Sequence, residues 1–204
     1  MRVRASHTLL GGLLAFTAIA GCGIPNDDPA SNGTHPWREP PDTHADAYSK
    51  NVSVRQDTAY LDGRPFSGYL LYIRPNGDTA ACIGYVDGVQ EGKSRVWHAN
   101  GRLSEERNFH LGRKIGIHRG WWPNGNPRFE YTFLNGEHHG AMLEWYEDGT
   151  PYKAFHHRMG YEDGSQRLWW EDGRVRANYV VRNGRRYGLI GVKNCVNPKD
   201  SLDR

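Results

Sequence analysis

Two pairs of adjacent histidines stand out as possible chemistry, His138-His139 and His156-His157. Converging imidazoles bind zinc when three or four ligands gather. A hairpin that sets His156 opposite Gly140 brings His139 and His157 near one another across the strand pair. Adjacent strand residues point to opposite faces, however, so each pair offers one ring per face. No carboxylate or thiolate trio joins them, and we expect solvated or partly packed imidazoles and no metal. Glu144, Glu147, Glu162 and Glu171 recur at corresponding places in a repeat, so their spacing follows the repeat. No nucleophile, base and orienter gather into a pocket. The expectation is a non-enzymatic protein with no cofactor. A third constellation is a row of rings, His98, Trp122, Tyr146 and Trp170, beside Arg128, Glu130, Arg174 and Arg176. Exposed aromatics next to arginine are favoured in binding hot spots. Neighbouring aromatics also stabilise sheets unaided. These four are the candidate binding residues, with both readings open.

The elements that position this row repeat. Glycines stand at 68, 92, 116, 140, 164 and 188, at 77, 101, 125, 149 and 173, and at 88, 112, 136, 160 and 184. Trp97, Trp121, Trp145 and Trp169 keep the same interval, with Ile73 as their earlier counterpart. A fixed period of this size signals a repeat array. Each unit reads as a hairpin, as in Gly140 to Tyr146, Glu147-Asp148-Gly149, then Thr150 to His157. A three-residue loop, built on a type I turn ending in a left-handed glycine, pairs Trp121 with Pro127. Pro75 and Pro123 then sit where that turn favours proline. Carried down the strands, this register predicts one apolar face. It holds Trp97 with Leu103, then Ile117, Trp121, Pro127 and Tyr131. Ala141, Leu143, Trp145, Pro151 and Phe155 follow, then Trp169, Val175 and Tyr179. The fold class is all-β: an open, single-layer antiparallel β-meander of repeated hairpins. Val52, Val54 and Tyr60 are expected to form an opening hairpin.

The ends differ from the middle. Arg2 and Arg4 precede an apolar run too short to span a bilayer as a mature helix, which is a secretory signal layout. Ile19-Ala20-Gly21-Cys22 resembles the lipobox of bacterial lipoproteins. That resemblance implies cleavage before Cys22, diacylglycerol on its thiol and palmitate-like acylation of its new amino group. Two or more acyl chains anchor stably. Gly23 after the cysteine resembles outer-membrane sorting. Pro25, Pro29, Pro36, Pro40 and Pro41, among polar residues, then read as a flexible tether. The expected organisation is a signal peptide over 1–21, lipidated Cys22 with a disordered tether over 22–50, a repeat domain over 51–188, and a C-terminal cap and tail over 189–204. The formal charge of +3 loses Arg2 and Arg4 on cleavage, leaving too little basicity for nucleic acid.

The glycine pairs Gly88/Gly92, Gly112/Gly116, Gly136/Gly140, Gly160/Gly164 and Gly184/Gly188, the aromatic four residues before the tip glycine in every repeat but the first, where Ile73 replaces it, and Arg64-Pro-Phe-Ser-Gly68 together resemble the bacterial MORN-repeat variant. The resemblance covers residues 51–188. It implies a repeat array and, for some bacterial members, an antitoxin-like role. A lipobox sits poorly with a cytosolic antitoxin, so the expected function is a lipid-anchored envelope binding scaffold. The alternative is an envelope immunity protein that neutralises a toxin. Expected partners are the membrane through the anchor, an envelope protein or component, and a second copy through the apolar face. Of three cysteines, Cys22 is assigned to lipid. Cys82 and Cys195 stand nearly five repeats apart, roughly 45 Å along a sheet at ~4.8 Å per strand. No disulfide is expected, because a bridge needs Cα atoms within about 7 Å, unless the C-terminal tail folds back along the sheet.

Overall fold

The computed structural model describes residues 38–191. The segment expected to be a signal peptide, Cys22 and Cys195 lie outside the described residues. The N-terminal end holds β1 (His44–Asp46), β2 (Val52–Arg55), β3 (Thr58–Leu61) and β4 (Arg64–Pro65). Hairpins follow. β5 (Gly68–Ile73) pairs with β6 (Thr79–Val86), and β7 (Val89–Trp97) with β8 (Leu103–His110) and the short β9 (Arg113–Lys114) beyond. β10 (Gly116–Trp121) pairs with β11 (Pro127–Leu134), and β12 (Glu137–Trp145) with β13 (Pro151–Arg158) and the short β14 (Tyr161–Glu162). β15 (Gly164–Trp169) pairs with β16 (Val175–Arg182), and β17 (Arg185–Leu189) ends the sheet. The result is an open, all-β antiparallel sheet with one parallel pair, β1 against β5.

The hairpin tips take the expected form. Trp121 faces Pro127, the Trp122 N–H donates to the Asn126 carbonyl at 2.8 Å, and the Gly125 N–H donates to the Trp122 carbonyl at 2.8 Å. Gly125 sits at φ +97°, a conformation glycine adopts without a Cβ clash. Pro123 occupies the second turn position, where its fixed φ suits a type I turn. At the opposite end of the strands the links are tighter. Asn135 and Gly136 both have positive φ, at 51° and 91°, as a two-residue type I′ turn requires.

The tip register does not run down the strands. Trp121 faces Pro127, yet Gly120 faces Phe129, so Arg128 is one extra residue. The same shift falls at Ile73, Trp97, Trp145 and Trp169. A bulge of one residue exchanges the faces of everything beyond it. The expected apolar face is therefore corrected. Tyr131, Phe155 and Tyr179 lie on the face opposite the tryptophan column, because His118 faces Tyr131, Met142 faces Phe155 and Gln166 faces Tyr179. That ring-bearing face holds buried Phe109, His118, Phe129, Phe133, Gln166, Tyr179 and Val181. The tryptophan-column face carries exposed Ile117 and Val175, and its middle is a row of ion pairs. Arg95 meets Glu106 at 2.9 Å and Arg119 meets Glu130 at 3.0 Å, with Arg119 directly across from Glu106.

The N-terminal end is thicker than the rest. β2, β3 and β4 form a separate small sheet, including the expected pairing of Val52 to Tyr60 residues. Ala59 and Phe66 from this layer pack with Leu70 and Tyr85 into a core in which Leu70 is 0% exposed. The stretch expected to be tether through residue 50 is ordered from Arg38. Its amide donates to the buried Glu91 carboxylate at 2.9 Å, Pro40 covers Gly84, and His44 stacks on Tyr69. Prolines here fit a covering segment because it needs few ladder hydrogen bonds. Cys82 is 1% exposed and disulfide-bonded to a cysteine outside the described residues. This corrects the expectation of no bridge. The distance argument weighed only the span along the sheet to Cys195 and left Cys22 aside, having assigned it to lipid.

Candidate binding groove

The predicted row of rings forms a ladder along the hairpin tips. His98 Nε2 lies 2.9 Å from the Trp121 carbonyl. Trp122 Nε1–H donates to the Trp145 carbonyl at 3.1 Å, and the Tyr146 hydroxyl donates to the Trp169 carbonyl at 3.2 Å. Arg74 reaches the Trp97 carbonyl in the same way. Each side chain thus ties one tip to a backbone acceptor of the next hairpin. Trp170, the last of the row, makes no such bond among the described residues. It is 41% exposed under the Arg176 guanidinium, 4.4 Å from its ring centroid. A second ladder runs beside the first. The Asn100 amide donates to the Pro123 carbonyl at 2.9 Å and the Asn124 amide to the Glu147 carbonyl at 2.8 Å.

Behind this row, on the ring-bearing face, lies a groove of about 570 Å³. Its floor is the third hairpin. Phe129 and Tyr131 stack with centroids 4.6 Å apart. Phe133 packs between His118 and His138, at 4.6 and 4.4 Å. Trp122, Tyr146 and Tyr152 form the tip-side wall. Gly120 makes the floor possible. A Cβ there would overlap the Phe129 ring, whereas the corresponding residues of neighbouring hairpins are Val96, Glu144 and Leu168. The small N-terminal sheet covers the first hairpin on this face, through Ala59 and Phe66. The groove opens farther along, among residues of the second to fourth hairpins.

Charge in the groove is uneven. Arg107 and Arg128 both bind Glu105, Arg128 at 2.6 Å. Glu144 accepts from the Tyr131 hydroxyl at 2.9 Å and from Lys153 at 2.7 Å. Burial, aided by the neighbouring carboxylates, raises the Tyr131 phenol well above its usual range and keeps it a neutral donor. Lys114 is exposed, sits 5.2 Å from the Phe133 centroid, and ion-pairs with no carboxylate among the described residues. His118 is 2% exposed, and burial, with Arg107 and Lys114 adding to it, pushes its pKa down to about 4. Burial also lowers His138, reinforced by His157, Lys114 and Lys153, and burial lowers His157. All three rings are therefore neutral at pH 7.

The register places the histidine pairs differently from expectation. His157 faces Gly140, and the rings that meet are His138 and His157, 5.6 Å apart. The Nδ1 atoms of both are buried without a hydrogen-bond partner among the described residues. Among the described residues, no three His, Cys, Asp or Glu side chains are arranged to hold a metal. Of the four candidate binding residues, Trp122 and Tyr146 line the groove while also serving the ladder. His98 serves the ladder, and Trp170 stands apart at the open end. Sequence reasoning missed Gly120, Phe129, Phe133 and Lys114. The available signal was Gly120, a glycine outside all three sets spaced by 24.

Residues 114–135, which span this third hairpin, match the MORN repeat variant family. No curated protein matches the chain. Among solved structures, the crystal structure of the GtfA/B complex bound to UDP and GlcNAc is similar at 10% identity, with a TM-score of 0.23. The similarity covers 67% of this chain and 23% of that one, so the chain spans less than a quarter of that length. The protein is a repeat-containing all-β chain whose groove hairpin carries a MORN-variant motif.

Proposed function

We propose that the protein is a non-enzymatic binding scaffold of the cell envelope, anchored by lipid at Cys22 and built as a MORN-like array, which holds its partner in the aromatic groove. The observation that carries this reading is the groove itself. The half-buried rings of Trp122, Tyr131, Tyr146 and Tyr152 beside cations are the composition of a recognition surface. The signal layout and the Ile19-Ala20-Gly21-Cys22 stretch support the address, an outer-membrane anchor. Among the described residues no helix is long and apolar enough to cross a membrane. Self-association through the tryptophan-column face is less favoured than the sequence suggested, since Arg95, Glu106, Arg119 and Glu130 occupy its middle. The motif match at residues 114–135 also keeps a second reading in view, in which the partner is a toxin and the protein confers immunity. A toxin gene beside this one supports that reading.

The test is affinity capture of the full chain from its own envelope, with mass spectrometry of Cys22. The proposal expects a lipid thioether on Cys22 and a partner that Tyr152→Ala releases while Trp170→Ala retains it. Retention by Tyr152→Ala and loss by Trp170→Ala would move the site to the C-terminal end. Mapping the Cys82 bridge bears on the anchor. A bridge to Cys195 leaves the Cys22 sulfur for lipid, and a bridge to Cys22 excludes the thioether.

A further inference from the structure

The groove's lining carries more positive than negative charge, and its polar groups are unequally satisfied. Arg107, Lys114 and Arg128 line it against one carboxylate, Glu144, while Glu105 and Lys153 stand just outside the lining, bound to those arginines and to Glu144. Both carboxylates are already bound to cations, Glu144 also to Tyr131. Lys114 remains without a counter-charge among the described residues at the Phe133 end, and Arg128 lies over Trp122 and Phe129 at the tip end. Phe129 and Phe133 are four residues apart on one strand, so the two positive ends are separated by about 13 Å. Between them lies a floor of rings. The groove is in mid-sheet, where backbone groups are committed to the ladders on both sides. A peptide strand therefore finds no free edge here, and recognition must go through side chains.

We propose that this groove binds an acidic oligosaccharide, with sugar rings lying against the half-buried rings of Trp122, Tyr131, Tyr146 and Tyr152 and the acid groups paired to Lys114 and Arg128. The inference deepens the binding-scaffold reading and rests on it. Ring stacking suits the apolar faces of pyranose units, and an acid group near Lys114 supplies the counter-charge this lysine lacks. A charged ligand bound this way is held partly by ion pairing, so its affinity falls with salt.

Calorimetric titration of the full chain with tetragalacturonate tests the proposal, with maltotetraose as the neutral sugar and inorganic phosphate as the bare anion. Tetragalacturonate is expected to bind, to change the intrinsic tryptophan fluorescence less in Trp122→Phe than in the parent, and to weaken roughly tenfold in Lys114→Gln, as loss of one charge-assisted contact implies. Lys114 is exposed, so this variant should fold as the parent does. Maltotetraose binding equally well would overturn the acidic part of the proposal, and phosphate competing at equal concentration would overturn the saccharide part. Unchanged affinity in Lys114→Gln would remove the site from the groove. If tetragalacturonate does not bind while Tyr152→Ala still releases the captured partner, the saccharide is wrong and the binding-scaffold reading stands.

Discussion

The first and last hairpins share one design and are finished differently. At the N-terminal end the ring-bearing face is covered by the small sheet, Arg38 and Pro40 lie against Glu91 and Gly84 on the other face, and β1 extends the sheet edge beside β5. Leu70 is sealed and Glu91 receives hydrogen bonds from His110, Leu111 and Arg38 at 2.7–2.9 Å. Burial alone would raise the Glu91 pKa, but these donors hold it below the usual carboxylate range. At the C-terminal end every residue of β17 is exposed, and Tyr187, Leu189 and Ile190 are open to solvent. The tip ladders thin out in the same direction. Asn100 and Asn124 donate to the next hairpin, but Asp148 and Asp172 stand at the matching positions and have no N–H to offer. The lesson is that a repeat fixes the hairpin, while stability is set by which hairpin has something lying on it.

The largest effect should separate the two ends. Leu70→Ala is expected to cost about 3 kcal/mol, as buried leucine truncations do, and Leu189→Ala less than about 0.5 kcal/mol. Chemical denaturation of the two variants measures the contrast. Equal losses would show that the C-terminal end is as well covered as the N-terminal one.

Acid should act on the middle. His118 has a folded-state pKa of about 4, below the ~6.5 of an unfolded chain. Between those values the unfolded chain holds the proton and the folded chain does not, so stability falls as pH drops from 6.5 toward 4. The full loss is on the order of 3 kcal/mol, with His138 and His157 contributing in the same direction. Denaturation midpoints across that range should slope steeply in the parent and less in His118→Gln. Equal slopes would mean that His118 titrates freely in the folded protein.

These differences explain what was legible in advance. Gly125, Pro123 and Asn124 specify the tip by their own backbone preferences, so the hairpins and their tip register could be read directly. The faces could not, because the extra residue at Arg128 is a cooperative feature of strand pairing and leaves little mark on local composition. One residue of slip moved Tyr131, Phe155 and Tyr179 across the sheet and hid the groove. Gly120 was the visible clue, since its irregular position records the ring that lies over it. The ordered stretch from Arg38 was obscured for another reason. Its prolines and polar residues resemble a tether, and only Glu91, Gly84 and Tyr69, distant in sequence, hold it in place.

Smaller effects sharpen the same contrast along the tips. Trp122→Phe removes a bond to the Trp145 carbonyl and should cost about 1 kcal/mol. Trp170→Phe removes no bond among the described residues and should be nearly neutral. Matched thermal melts would distinguish them, and equal shifts would deny the ladder its role. The smallest expected effect is a gain. Asp148→Asn supplies the amide that Asn124 already uses, aimed at the Glu171 carbonyl, and should add about 0.5 kcal/mol. A lower melting temperature for this variant would show that the Asp148 carboxylate matters more to its turn, where it accepts from the Thr150 amide at 2.8 Å.

Hydroxyl-radical footprinting of the full chain, with and without its captured envelope partner, tests the central claim most directly because it reads side-chain exposure face by face. The groove account predicts that Trp122, Tyr146 and Tyr152 become protected together, while Trp97, Trp121 and Trp169 keep their reactivity. Protection of Trp121 and Trp169, or of Tyr187 at the open edge, with the groove rings unchanged, would contradict it.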